Sequence, residues 1–189
     1  RCGGDGEESI RAQVAAAHQA IVARPIGTPQ LLRSLTRDPG ISAEVAARVK
    51  PWTIFNETLI HDFDTLRWLN PGARVTEVFA QADALIHPQF ADSGYLDTAM
   101  VQLRFDNRAF AVAEASFQAV YGYDVRGEVF GSQGVLLAGR DPQNAARQNT
   151  ELFGDAYVAQ LAYFVDSVRS GSTPSVTGHD ARVALEIAL

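Results

Sequence analysis

The chain has 189 residues, 47% of them hydrophobic and 20% charged, with a formal net charge of −6. That balance describes one globular domain large enough to bury a core, and its acid excess, with no block among its 16 Lys and Arg, excludes a nucleic-acid surface. No run approaches the roughly 18 apolar residues of a membrane span, and a single cysteine, Cys2, permits no internal disulfide, which points to a cytoplasmic location.

Residues 1–9, with Gly3, Gly4 and Gly6, read as a flexible start, and 10–189 as a single domain. Ser9 stands as N-cap to a helix marked by Ile10, Val14, Ala17 and Ile21 at helical spacing. Pro25 to Pro29 ends it and leads to a strand over about 30–37. Residues 38–53 have no clean period and read as irregular. A helix follows over about 54–69, stopped by Asn70-Pro71-Gly72. Then come a strand at 75–85, a long loop, and a half-buried strand in which Ala99, Val101, Leu103 and Phe105 alternate with polar partners. Asp106-Asn107-Arg108 turns the chain into an antiparallel return over 109–119. Strands at 123–130 and 135–138 flank the turn Gly131 to Gly134. A helix carrying Tyr157, Leu161, Phe164 and Val168 ends at Gly171, and Asp180 opens a last one. Consecutive hairpins forbid a uniformly parallel sheet. The expected class is α+β: one open, largely antiparallel (mixed) sheet with helices packed on one face.

The helix at 54–69 carries the chemistry. Residues three and four apart share a helical face, so Glu57, His61, Asp64 and Trp68 form one stripe beside an apolar sector of Leu59, Ile60, Phe63 and Leu66. A carboxylate beside an imidazole fixes the ring's tautomer and makes it a general base near neutral pH. The plainer reading is an amphipathic helix with polar pairs on its wet side. A catalytic metal needs about three protein ligands, and His18, His87 and His179 sit on unrelated segments, so no metal site is expected. No G-x-S-x-G motif supports a nucleophilic triad.

Glu57-Thr-Leu-Ile-His61-Asp62-Phe-Asp64 with Leu66 to Leu69 resembles the catalytic helix of the Gfo/Idh/MocA oxidoreductases, most closely their inositol 2-dehydrogenase branch. Three further blocks agree in order: Arg37-Asp38-Pro39, the run from Val120 through Tyr121-Gly122-Tyr123 to Gly134, and Pro174 to Asp180. The resemblance implies the substrate-binding, C-terminal domain of an NAD- or NADP-dependent dehydrogenase acting on a cyclitol or sugar hydroxyl. By motif, His61 is the proton acceptor and Glu57 holds the acidic place. Tyr123 faces the polyol, and Arg37 and Asp64 are further substrate-binding candidates, although Arg37 is more readily read as a structural partner of nearby carboxylates. The resemblance also implies a preceding nucleotide-binding Rossmann domain of roughly 120 residues. Neither its G-x-G-x-x-G turn nor its catalytic Lys is present here, where Lys50 is the single lysine. The chain starts at Arg1 and stops at Leu189 inside a helical pattern, so it reads as cut at both ends.

Departures from the family pattern keep a second reading open. Glu57 replaces the usual Asp, and Trp52 and Thr53 stand where two glycines are common. Thr36 replaces a branch-specific His. A displacement of about 1 Å can cost a positioned site about 10²-fold. The alternative is a non-catalytic, stand-alone sugar-binding or oligomerisation domain derived from the family. In either case a one-layer sheet leaves an apolar face open, for which a homodimer or homotetramer is expected.

Overall fold

The computed structural model describes residues 26–139 and 148–189. The flexible start and the helix expected over about 9–24 lie outside the described residues. Within them the chain runs through strand β1 (Pro29–Arg37), a short helix α1 (Ala43–Ala46), a π-helical turn (Ile54–Leu59) and helix α2 (Ile60–Trp68). Strand β2 (Val75–Asp83) and a 3-10 turn (Pro88–Ser93) precede β3 (Thr98–Phe105), β4 (Phe110–Ser116), β5 (Asp124–Gly131) and β6 (Gly134–Gly139). Helices α3 (Asn149–Ser170) and α4 (Gly178–Ala188) end the chain.

The strands form one six-stranded sheet in the order β2-β3-β4-β1-β5-β6. Only β1 and β4 run parallel, Arg33 lying opposite Val112, and every other pairing is antiparallel. This is the open, mixed, largely antiparallel sheet expected from the hairpins. Alternation along β3 buries Ala99, Val101, Leu103 and Phe105 and exposes Met100, Gln102 and Arg104. The buried row meets Leu59, Phe63 and Leu66 in one core, with Leu32, Ala111, Ala113 and Val129. Each large apolar side chain removed from water there is worth about 1.5–3 kcal/mol. Helix α4 packs against α2 on that same side.

Local chemistry sets the boundaries. At the end of α3, Gly171 adopts φ 67° and the Ser172 N–H returns to the Ser167 carbonyl, as expected of a left-handed glycine cap. Thr177 caps α4, its N–H bonding the Asp180 carboxylate at 2.8 Å, so the helix begins at Gly178 and Asp180 sits within its first turn. The β5–β6 turn needs its first glycine because a Cβ at Gly131 would lie 2.3 Å from the Ile26 carbonyl oxygen. The following Ser132 hydroxyl accepts a bond from the Thr28 N–H at 3.1 Å, tying this turn to the approach to β1. Two expectations change in detail: residues 43–46 and 88–93, read as irregular, form short helical turns.

Candidate active site

The strand at the centre of the sheet supplies the floor of a cleft. Along β1, Leu32 points into the core, and the next positions on that face are Ser34 and Thr36, followed by Asp38. From β5 and its approach come Tyr123, Val125 and Gly127. One wall is the π turn with α2, giving Glu57, Thr58, His61, Asp62, Thr65 and Trp68; the opposite wall is Phe153, Ala156 and Tyr157 of α3. The cavity between them measures about 730 Å³.

The helix enters this wall irregularly. Residues 54–59 are π-helical, with i→i+5 bonding, before α2 resumes an ordinary α-helical path. Of the stripe expected from a uniform helix, Glu57, His61 and Trp68 still line the cleft and Asp64 does not. Leu59, Phe63 and Leu66 are buried as expected, while Glu57 and His61 are both exposed to the cleft. No hydrogen bond joins these two among the described residues. The acid that interacts with the His61 ring is Asp64, three positions on; burial raises its carboxyl pKa, and Arg67 and then His61 oppose that rise. Arg67 bonds Asp64 at 3.1 Å and the Asp180 carbonyl at 3.1 Å, pinning α2 to α4. Asp64 thus lies just behind the cleft rather than among its lining residues.

The expected residues separate into two groups. His61, Glu57 and Tyr123 converge on the cleft. Burial pushes the Tyr123 hydroxyl above its usual pKa, with the charges of Asp38 and Tyr157 adding to the rise. Arg37 does not join them. The two-residue alternation of β1 turns it to the opposite, open face, where it lines a different cleft with Tyr121 and Glu114. There it bonds Glu114 at 3.3 Å and Tyr121 at 3.4 Å, and lies 3.9 Å from Asp124. Trp52, which stands where the family pattern commonly has glycine, is not among the lining residues. It is 60% exposed, tilted against the Phe55 ring at 5.6 Å, and holds φ 67°, the left-handed region that favours the glycine it replaces.

Sequence reasoning passed over the most unusual group. Asp62 is 2% exposed, and Ser34, 4% exposed, donates its hydroxyl to Oδ1 at 2.5 Å. Oδ2 is buried without a hydrogen-bond partner among the described residues. Burial pushes the Asp62 carboxyl up to about 7; the Ser34 and Thr36 hydroxyls draw it partly back, and the charge of Asp38 adds a smaller rise. Burial raises the Asp38 carboxyl as well. The legible signal was polar residues at 34, 36 and 38, every second position on the face that Leu32 commits to the core. The cleft therefore combines an exposed imidazole, a tyrosine hydroxyl, two strand hydroxyls and several acids, a set suited to holding a ligand rich in hydroxyl groups and accepting a proton from it.

Known proteins agree with this arrangement. The family model described as the GFO/IDH/MocA C-terminal domain matches residues 14–137. A myo-inositol 2-dehydrogenase of Thermotoga maritima is 37% identical over 181 residues, covering 88% of this chain and 54% of that protein. A scyllo-inositol 2-dehydrogenase (NAD(+)) of Bacillus subtilis is 33% identical, covering 92% and 54%. The crystal structure of a myo-inositol dehydrogenase from Corynebacterium glutamicum superposes with a TM-score of 0.80 at 28% identity, over 93% of this chain and 56% of that one. The chain spans about half the length of the curated relatives it matches. Sequence match, sheet order and the helix bearing His61 lead to one assignment: the chain belongs to the C-terminal domain family of the Gfo/Idh/MocA oxidoreductases.

Proposed function

We propose that this domain supplies the substrate cleft and the proton-accepting imidazole of an NAD- or NADP-dependent dehydrogenase acting on a cyclitol or sugar hydroxyl. The observation that carries the reading is the convergence of exposed His61 with Glu57 and Tyr123 over a floor of hydroxyls and carboxyls. Relatives whose names specify inositol oxidation share this part of the chain. Oxidation of a carbinol breaks its O–H and C–H bonds. His61 takes the hydroxyl proton, and the nicotinamide, when bound, supplies the hydride acceptor. Asp64, which interacts with the ring, and Glu57 place negative charge beside the imidazolium that forms. Tyr123, Ser34 and Thr36 orient the remaining hydroxyls of the polyol.

Among the described residues no glycine-rich turn between a strand and a following helix offers a phosphate cradle, so the cofactor would be held by residues other than these. This chain alone is accordingly expected to give no turnover with NAD and myo-inositol. A protein joining this domain to a nucleotide-binding domain is expected to reduce NAD in the presence of myo- or scyllo-inositol. Failure with both, by a protein that binds NAD, would remove the reading.

The same proposal includes a cytoplasmic location and assembly of two or four copies through the open face. No described helix is long and apolar enough to cross a membrane. Leu31, Met100, Phe110, Phe130 and Leu137 stand exposed on that face, around the Arg33–Glu114–Arg37 ion pairs. Val101, Leu103, Phe117 and Val129 point the other way and fill the core. Sedimentation at micromolar concentration should show a dimer or tetramer; a 20.4 kDa monomer would refute the assembly.

A further inference from the structure

Asp62 and Ser34 join α2 to the central strand through a buried acid, at a place where an apolar contact would have served packing better. The surroundings show how this acid is compensated. On its own helix, its charged neighbours are His61, Asp64 and Arg67, and Arg67 is engaged by Asp64 and Asp180. The π turn contributes Glu57. From β1 come the Ser34 and Thr36 hydroxyls and, past its end, Asp38. From β5 and its approach come Tyr123 and Arg126, the latter bonded through two nitrogens to Asp124. The β4 residues on this face are Ala111, Ala113 and Ala115. Helix α3 presents Tyr157, and α4 presents Asp180 and, further along, His179, Arg182 and Glu186, with Arg182 bonded to Glu186. None of these arginines is bonded to Asp62, and its Oδ2 has no donor.

A carboxylate so placed is a buried charge supported only by neutral hydroxyls, whereas the protonated acid carries no charge to desolvate. We propose that Asp62 is a positioning residue for His61: while protonated, its neutral carboxyl stays latched on β1 against the Ser34 hydroxyl and holds the adjacent imidazole over the cleft, and loss of that proton leaves a buried charge that the Ser34 and Thr36 hydroxyls do not fully compensate, which loosens the latch. On ionisation the uncompensated charge must draw in water or lift the helix from the strand, and either change moves residue 61. The latch thereby makes the presentation of the base depend on a second proton, distinct from the one the base accepts. The inference rests on the proposed role of His61 but is testable without turnover.

The test is a titration of the 189-residue chain between pH 5 and 9, following the His61 Cε1–H resonance by NMR, assigned with His61→Gln. The wild-type resonance should show two inflections, its own and one from Asp62, and Asp62→Asn should retain only the first. Ser34→Ala, which removes the same bond from the strand side, should displace the second inflection, and decides the matter if Asp62→Asn does not fold. In parallel, myo-inositol affinity should fall about tenfold as the latch ionises, and should stay flat in Asp62→Asn apart from the titration of His61 itself. A second inflection that survives Asp62→Asn overturns the proposal. So does a wild-type resonance with one inflection in a protein whose unfolding free energy nonetheless changes with pH, because Asp62 would then be structural only. Absence of inositol binding at every pH would count against the proposed substrate, while the ring titration would still decide the latch.

Discussion

On the open face of the sheet, Asp124 is 3% exposed and receives the Tyr121 hydroxyl at 2.8 Å and two Arg126 nitrogens at 2.7 and 3.0 Å. On the helix face, Asp62 is as deeply buried, yet among the described residues it receives the Ser34 hydroxyl on Oδ1 and its Oδ2 is left without a hydrogen-bond partner. Both belong to motif blocks that mark the family, and both flank a residue first considered for substrate binding or catalysis. Their surroundings give them opposite roles. A carboxylate saturated by arginine and tyrosine serves to hold strands and turn together. A carboxyl stripped of partners is free to exchange a proton, and it lies in the cleft that contains the imidazole.

Substitutions on the two faces should separate accordingly. The largest effect is expected in a complete dehydrogenase carrying this domain. His61→Ala should lower kcat about 10²–10⁴-fold with KM little changed, because a base acts mainly in the transition state. Arg37→Ala, on the open face, should leave kcat within about tenfold of wild type if its role is ionic support. A comparable loss from both would erase the distinction between the faces.

Next in size is the pH dependence of stability. The Asp62 carboxyl has its ordinary value of 3.8 in the unfolded chain and about 7 in the fold. The folded state therefore binds the extra proton, and its stability is greatest below the unfolded value and falls as the pH rises from about 4 to about 7. The loss contributed by this group is on the order of 4 kcal/mol. Urea titrations across that range should show the decline in wild type and a flatter profile in Asp62→Asn.

Asp124→Ala should cost about 3 kcal/mol at neutral pH, since it leaves Arg126 and Tyr121 without their acceptor. The smallest effect concerns neither face. Arg108 is exposed in the β3–β4 turn with φ 73°, so Arg108→Gly should raise stability by about 1 kcal/mol, read from the urea midpoint. No gain would mean that this side chain stabilises the turn in another way.

Much of the architecture was legible because its causes are local. Alternation along β3, the Asp106-Asn107-Arg108 turn and the Gly171 cap each state their geometry within a few residues. His61 and Tyr123 were legible through their motifs. What escaped depends on segments far apart in the chain. The Asp97 carboxylate accepts the N–H groups of Leu85, Ile86 and His87 and organises that loop, but no local pattern announces it. Asp62 was hidden for the same reason, since its partner Ser34 is 28 residues away. The π turn was missed because an i→i+5 turn has no periodic signature of its own. Arg37 was a substrate-binding candidate through its motif, but a strand sends adjacent residues to opposite sides, and its ion pairs with Glu114 and Asp124 fit the structural role also read for it.

The place of β1 has a consequence for how the molecule acquires its cleft. Its hydrogen-bonding neighbours are β4 and β5, and the Arg33–Glu114 bond spans 81 residues of chain. As the ribosome releases the polypeptide from its N-terminal side, β1 is made early and must wait for strands synthesised much later. The β3–β4 hairpin can close at once, with a short turn and little loop entropy to overcome. Insertion of β1 between β4 and β5 is then a late, non-local step, of the kind that slows folding as sequence separation grows. Ser34 and Thr36 travel with it. The cleft floor should thus be among the last parts of the domain to form, and a nascent chain halted before β4 should display a helix bearing His61 with no floor beneath it.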